Sequence, residues 1–146
     1  MAPVVYLVRH GTAAQHSPDG DSGRVLTEEG SARFSALARK LAGELKVSRI
    51  LTSPYARARQ TAELLSSAVG APVEEARELA SGASSGTELL ALARANGQGT
   101  VLVGHNPELT DAVHLASGEP VRVIPGTVVA VELDEAGARL LWIREP

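Results

Sequence analysis

Apolar and polar positions alternate along the chain in blocks of two kinds. Val4-Val-Tyr-Leu-Val8 is a continuous apolar, β-branched run, the pattern of a strand buried on both faces. Polar residues fill Gly11 to Gly23, with Gly, Pro and Asp among them, and predict a loop. Thr27 can cap a helix, and Glu28 and Glu29 suit its first turn. Phe34, Leu37, Leu41 and Leu45 then fall on one helical face. Arg49-Ile-Leu-Thr52 reads as a short strand, and Ser53-Pro54 as the start of a helix, with Pro in the first turn. Thr61, Leu64, Leu65 and Ala68 line that helix on its inner side, and Gly70 stops it. Pro72 to Glu75 predicts a third strand. Thr87 can cap a helix through about Asn96, closed by Gly97 and Gly99. Thr100-Val-Leu-Val103 is another buried strand, and Pro107 to Ala116 reads as helix, ended by Ser117-Gly118. Two late strands, near Thr127–Leu133 and Arg139–Arg144, are joined by an Asp134-Glu-Ala-Gly137 turn.

This alternation predicts an α/β fold: a single three-layer α/β/α domain over 1–146, with a mostly parallel sheet and antiparallel strands at its C-terminal end. In such sheets ligands bind beyond the carboxyl ends of the strands. Arg9-His10-Gly11 follows the first strand. Thr52-Ser53-Pro54 follows the second, with Arg57 within the next helical turn. Gly104-His105-Asn106-Pro107 follows the fourth. Topology thus carries two histidines and two arginines toward one crevice.

Composition narrows the function. A chain of 146 residues, 44% hydrophobic and 21% charged, can build a core without staples. Cysteine is absent, which excludes disulfides, thiolate zinc sites and a cysteine nucleophile. The net charge of −3 argues against a nucleic-acid or anionic-membrane surface, but leaves room for a small cationic pocket. Twelve of the 14 cationic residues are Arg, the better residue for forked contact with phosphate. The first apolar run is too short for a signal peptide or a membrane span, so a cytoplasmic protein is expected.

The residues Val5-Tyr-Leu-Val-Arg-His-Gly11, Arg24-Val-Leu-Thr-Glu-Glu-Gly30, Leu51-Thr-Ser-Pro-Tyr-Ala-Arg57 with Gln60-Thr61-Ala62, and Leu102-Val-Gly-His-Asn-Pro107 occur in that order over nearly the whole chain. In this the sequence resembles the histidine phosphatase superfamily (phosphoglycerate-mutase-like). The short length and the Arg-x-Leu-Thr-x-x-Gly segment resemble its small SixA-type phosphohistidine phosphatases. The resemblance implies that His10 is a nucleophile that becomes phosphorylated. It implies that Arg9, Arg57 and His105 hold the phosphoryl oxygens, and that Arg24 is a further phosphate contact. Gly11 and Asn106, beside the two histidines, join the substrate-binding set. Glu78 falls near the segment where many members of the superfamily carry a general acid.

The chemistry of these residue types agrees. A neutral imidazole can attack phosphorus and form an intermediate that water hydrolyses. Guanidinium groups offer forked donors to the phosphoryl oxygens. His105, if protonated, adds positive charge, Gly11 permits close backbone approach, and the helix starting near Pro107 can aim amides at an anion. No metal is expected, because the arginines supply the charge a metal would supply and a zinc site from His10 and His105 lacks a third ligand at a recognisable spacing; no other cofactor is expected. Ser53 has no nucleophile elbow around it, so capping the following helix is its expected role. His16 and His114 lie away from strand ends.

A metal-independent phosphatase acting on phosphohistidine in proteins is therefore expected. Its partner would be a phosphorylated protein, such as a histidine-phosphotransfer domain, or a small phosphate ester. A broader small-molecule phosphomonoesterase is the first alternative. The second is a non-catalytic module that binds phosphorylated proteins. A monomer is expected, with no nucleic-acid or membrane partner.

Overall fold

In the computed structural model, residues 2–146 are described; residue 1, part of the expected 1–146 domain, lies outside them. The strands are β1 (Val4–Arg9), β2 (Arg49–Thr52), β3 (Val73–Glu75), β4 (Thr100–Gly104), β5 (Val128–Asp134) and β6 (Gly137–Arg144). The helices are α1 (Glu28–Leu41), α2 (Ala56–Val69), α3 (Gly86–Asn96) and α4 (Glu108–Ser117), with two short 3₁₀ turns at Asp21–Gly23 and Arg77–Leu79. The strands form one sheet in the order β3-β2-β4-β1-β5-β6. The first four are mutually parallel, and β5 and β6 run antiparallel.

Strand alternation divides the core. Tyr6, Val8, Ile50, Val101, Val103 and Val128 face α1 and α2, where Phe34, Leu37, Leu41, Ala58 and Leu65 meet them. Val5, Leu7, Leu51, Leu102, Val129 and Val131 face α3 and α4, against Leu89, Ala93, Leu109 and Val113. Each central strand buries both faces, which is why these segments read as continuous apolar runs. Phe34 is wholly enclosed, and its truncation to Ala would cost about 3–5 kcal/mol.

Most helix ends follow the residues that predicted them. The Thr27 side chain accepts from the Gly30 amide at the start of α1, and α2 and α4 end at Gly70 and Gly118 in left-handed conformations. Two starts differ from expectation. α3 is capped by Ser85, not Thr87: Ser85 and Glu88 close a reciprocal capping box, which satisfies two amides and outcompetes the later Thr. α2 begins at Ala56, not at Ser53-Pro54, and Ser53 does not cap it. The Ser53 hydroxyl accepts instead from the Tyr55 amide and is bonded to a histidine.

Candidate active site

The parallel register brings three strand ends side by side. Arg9 pairs with Gly104 and Thr52 with Val103. Beyond them the His10 amide donates to the Gly104 carbonyl at 3.1 Å, and the Ser53 amide to the Val103 carbonyl at 3.0 Å. His10, Ser53 and His105 thus leave the sheet from adjacent strands, with their backbones fixed by ladder-like bonds. The His10 and His105 ring centroids lie 5.1 Å apart.

The protonation of His10 follows from its partners. Its Nδ1 lies 2.8 Å from the Gly11 carbonyl, which can only accept, so Nδ1 carries the hydrogen. Nε2 is then a lone pair, and it accepts from Arg57 Nε at 3.3 Å. Burial pushes the His10 pKa down to about 4, against the bond to Gly11 and with Arg57, Arg9 and Arg24 adding to the drop. At neutral pH His10 is therefore an uncharged imidazole with Nε2 turned toward the guanidinium groups. His10 is 8% exposed.

His105 is 3% exposed. Its Nε2 lies 2.7 Å from the Ser53 hydroxyl, and Tyr55 stacks edge-on at 4.9 Å between centroids. Burial, then the proximity of His10 and Arg57, pushes its pKa down to about 3. The sequence left the protonation of His105 open; in this arrangement, burial beside Arg57 favours the neutral imidazole.

Arg57 is 5% exposed and packs over the Tyr55 ring at 5.1 Å. It also donates through Nη1 to the Asp21 carbonyl at 2.7 Å and through Nη2 to the Asp21 carboxylate at 3.3 Å. Arg24 donates to the Ala14 carbonyl and to the other Asp21 oxygen at 2.9 Å. Arg9 donates through Nη1 to the Val123 carbonyl at 2.9 Å, while its Nε is buried without a partner. Burial lowers its pKa, though a guanidinium keeps its proton at any ordinary pH.

The remaining expected residues are placed differently. The Gly11 amide is bonded to Thr61, and a side chain at Gly11 would meet Leu26 at 3.3 Å and the Gly30 carbonyl at 3.5 Å. The tight approach there is to the Leu26 side chain; the distance to the Gly30 carbonyl is ordinary contact. Asn106 donates to the Val123 carbonyl at 3.0 Å and accepts from the Thr110 amide and hydroxyl. Of the amides at the α4 terminus, which the sequence suggested could face an anion, that of Thr110 is taken up by Asn106 and that of Leu109 by the His105 carbonyl. Glu78 is exposed, and its carbonyl accepts from the Ser84 hydroxyl.

Asp21 and Ser53 were not singled out as site residues by the sequence. Asp21 sits in a polar loop with no periodicity, so only the folded arrangement shows its carboxylate between Arg24 and Arg57. Ser53 carried a usable signal in its place directly after a buried strand. Among the described residues, no group of three or more His, Asp or Glu side chains is disposed to hold a metal ion. No helix there is long and apolar enough to cross a membrane.

The class defined by this fold and site agrees with comparison to known proteins. The family model for the histidine phosphatase superfamily (branch 1) matches residues 5–98. The chain is 31% identical over 141 residues to the phosphohistidine phosphatase SixA of Escherichia coli strain K12, covering 91% of this chain and 87% of that protein. It is 42% identical over 113 residues to an uncharacterized protein of Picosynechococcus sp. strain PCC 7002, covering 72% and 67% respectively. A solved structure of the protein histidine phosphatase SixA complexed with tungstate matches with a TM-score of 0.85 at 28% identity, over 98% of this chain and 97% of that one. The chain belongs to the histidine phosphatase superfamily, with the phosphoglycerate-mutase-like fold, and within that superfamily it is of the SixA type.

Proposed function

We propose that this protein hydrolyses phosphohistidine on proteins through a covalent intermediate at His10. One observation carries the reading: a neutral imidazole has its Nδ1 hydrogen fixed by the Gly11 carbonyl and its Nε2 lone pair facing Arg57. An incoming phosphoryl group takes over the Arg57 Nε–H, which frees Nε2 for attack. The Nε2–P bond forms as the bond from phosphorus to the leaving group breaks, and the leaving group keeps the electron pair. Arg9, Arg57 and His105 donate to the phosphoryl oxygens, with Arg24 at the rim. Such preorganised donors, aimed where charge develops, are the main contribution a protein can make to phosphoryl transfer. Water then attacks phosphorus, its proton passes to solvent, and His10 recovers its lone pair as phosphate departs.

The preference for phosphohistidine rests on the carboxylates. Asp21 is the acidic side chain at the arginine cluster, and its bond to Arg24, helped by Arg57, holds its pKa below the ordinary value. It is ionised at neutral pH and has no proton to give. A phosphoimidazole whose second ring nitrogen is protonated leaves as neutral imidazole and needs no such proton. An alkyl phosphate would leave as an alkoxide and does need one. Glu78, the acid expected from the resemblance, has its side chain in solvent. The name of the Escherichia coli relative supports the same substrate class.

The test compares a phosphohistidine peptide, p-nitrophenyl phosphate and an alkyl phosphate, each with and without EDTA, for wild type and His10→Ala. Hydrolysis of the first two that survives EDTA, with the alkyl ester slowest, is the expected result. Equal rates on alkyl and imidazole phosphates would favour the broader phosphomonoesterase. Turnover that persists in His10→Ala would overturn the covalent route.

A further inference from the structure

We infer that Ser53 is a positioning residue: its hydroxyl donates to His105 Nε2 and thereby holds His105 as an Nδ1–H donor for a phosphoryl oxygen. This rests on the proposed role of His105 as a phosphate ligand, which the experiment below can separate from it.

Hydrogen accounting fixes the direction of the Ser53–His105 bond. Ser53 is fully buried. Its oxygen already accepts from the Tyr55 amide at 3.1 Å, and an amide cannot take a hydrogen back. Among the described residues, the acceptor within reach of the hydroxyl hydrogen is His105 Nε2, at 2.7 Å. A buried hydroxyl without an acceptor is costly, so the hydrogen belongs in that bond. Nε2 is then the lone-pair nitrogen, and Nδ1 carries the hydrogen of the neutral ring. Nδ1 is itself buried and has no partner.

The opposite tautomer fails on two counts. It would leave the Ser53 hydrogen with nothing to bond. It would also present a lone pair at Nδ1 in a pocket proposed for an anion. With Nδ1–H, the ring offers an unmatched donor beside His10, as Arg9 does with its own unpartnered Nε. Two buried donors without acceptors, on two adjacent strand ends, are what a bound anion would satisfy.

Ser53 is also placed to hold this arrangement rigidly. Its amide is bonded to the Val103 carbonyl, so the hydroxyl is anchored to the β2–β4 pair. Tyr55 packs edge-on against the His105 ring at 4.9 Å between centroids, limiting its rotation. The serine thus sets the hydrogen of one histidine much as the Gly11 carbonyl sets that of the other, with opposite results. His10 presents a lone pair for attack, and His105 presents a hydrogen for stabilisation.

Long-range ¹H–¹⁵N correlation spectra of the full chain read the tautomer directly. Wild-type His105 is expected to show a protonated Nδ1 and an unprotonated Nε2, with the Nδ1 signal shifting when inorganic phosphate or tungstate is added. Ser53→Ala should populate the other tautomer and weaken tungstate binding by about tenfold, the loss expected for one hydrogen bond to a charged group. Ser53→Thr, which keeps the hydroxyl, should recover binding to within a factor of three. A wild-type Nε2–H tautomer would overturn the assignment while leaving attack by His10 untouched. So would a Ser53→Ala variant that binds tungstate as tightly as wild type. An Nδ1 signal indifferent to phosphate and tungstate, with turnover intact, would instead remove His105 from the phosphate ligands.

Discussion

His10, Ser53 and His105 follow strands whose ends are bonded to one another, and Arg57 lies in the first turn of a helix packed on the same sheet. Asp21 and Arg24 hang from the loop between β1 and α1, and the Asp21 side chain is 59% exposed. The first group is buried and preset: hydrogen positions, ring orientations and unmatched donors are all determined before any ligand arrives. The second is a solvent-facing ion pair that borrows two donors of Arg57. On the proposed function, this difference would separate the work of bond making from the work of admission. Chemistry needs groups held to fractions of an ångström, which strand ends supply. On the same reading, the Asp21 carboxylate would yield to phosphate, and its exposed place on a loop leaves it free of the sheet.

Substitutions can break this division. The largest expected effect is on the rigid side: His10→Ala should reduce hydrolysis of p-nitrophenyl phosphate by at least a thousandfold, read in a steady-state assay. Arg57→Lys keeps a charge but loses the fork, and kcat/KM should fall by roughly a hundredfold or more. On the loop side, Arg24→Ala should raise KM about tenfold and leave kcat within a few-fold. Asp21→Ala should act in the opposite sense and tighten inorganic phosphate about fivefold, measured by calorimetry, because a competing negative charge is gone. A large fall in kcat from Asp21→Ala would place the loop in the chemistry and end the distinction.

A last effect, on stability rather than on turnover, concerns pH. Both buried histidines have pKa values below that of the unfolded chain, about 4 for His10 and about 3 for His105 against 6.5. The folded state therefore binds fewer protons than the unfolded state below pH 6.5. The stabilisation is fully present above that pH and is lost as pH falls through 6.5 toward 4 and then 3. The slope is about 1.4 kcal/mol per pH unit for each histidine. Urea titrations between pH 7 and 4.5 should show the midpoint falling, and His10→Ala should flatten part of that fall. Bound phosphate would work against it by raising the His105 pKa.

Much of the strand-anchored half could be read in advance. Arg9, His10, Arg57 and His105 each lie at or just after a buried apolar run, and the sheet topology alone brings them together. The loop-anchored half could not, because Asp21 lies in a stretch whose polarity suits solvent as well as an ion pair. Protonation states were also beyond reach. The neutrality of His105 comes from enclosure and from the nearness of His10 and Arg57, and both depend on distances. Other misses had a signal that was present but weaker than its rival. The Glu88 three residues after Ser85 marks the true start of α3, and Thr87 was simply another acceptable cap. The Ser53-Pro54 pair resembles a helix start, yet the serine is already engaged by His105 and the Tyr55 amide.

The base of the loop carrying Asp21 and Arg24 is tightly closed. The Thr27 amide bonds to the Thr12 carbonyl, Ala13 bridges Leu26, and the Leu26 amide is held by Gln60. Gly30 lies so close to the Thr12 carbonyl that any side chain there would collide with it. Residues between these clamps can therefore be viewed as an exchangeable cassette: new sequences from 15 to 23 could be grafted onto fixed endpoints to retune substrate choice, provided that Gly30 is left alone in every library.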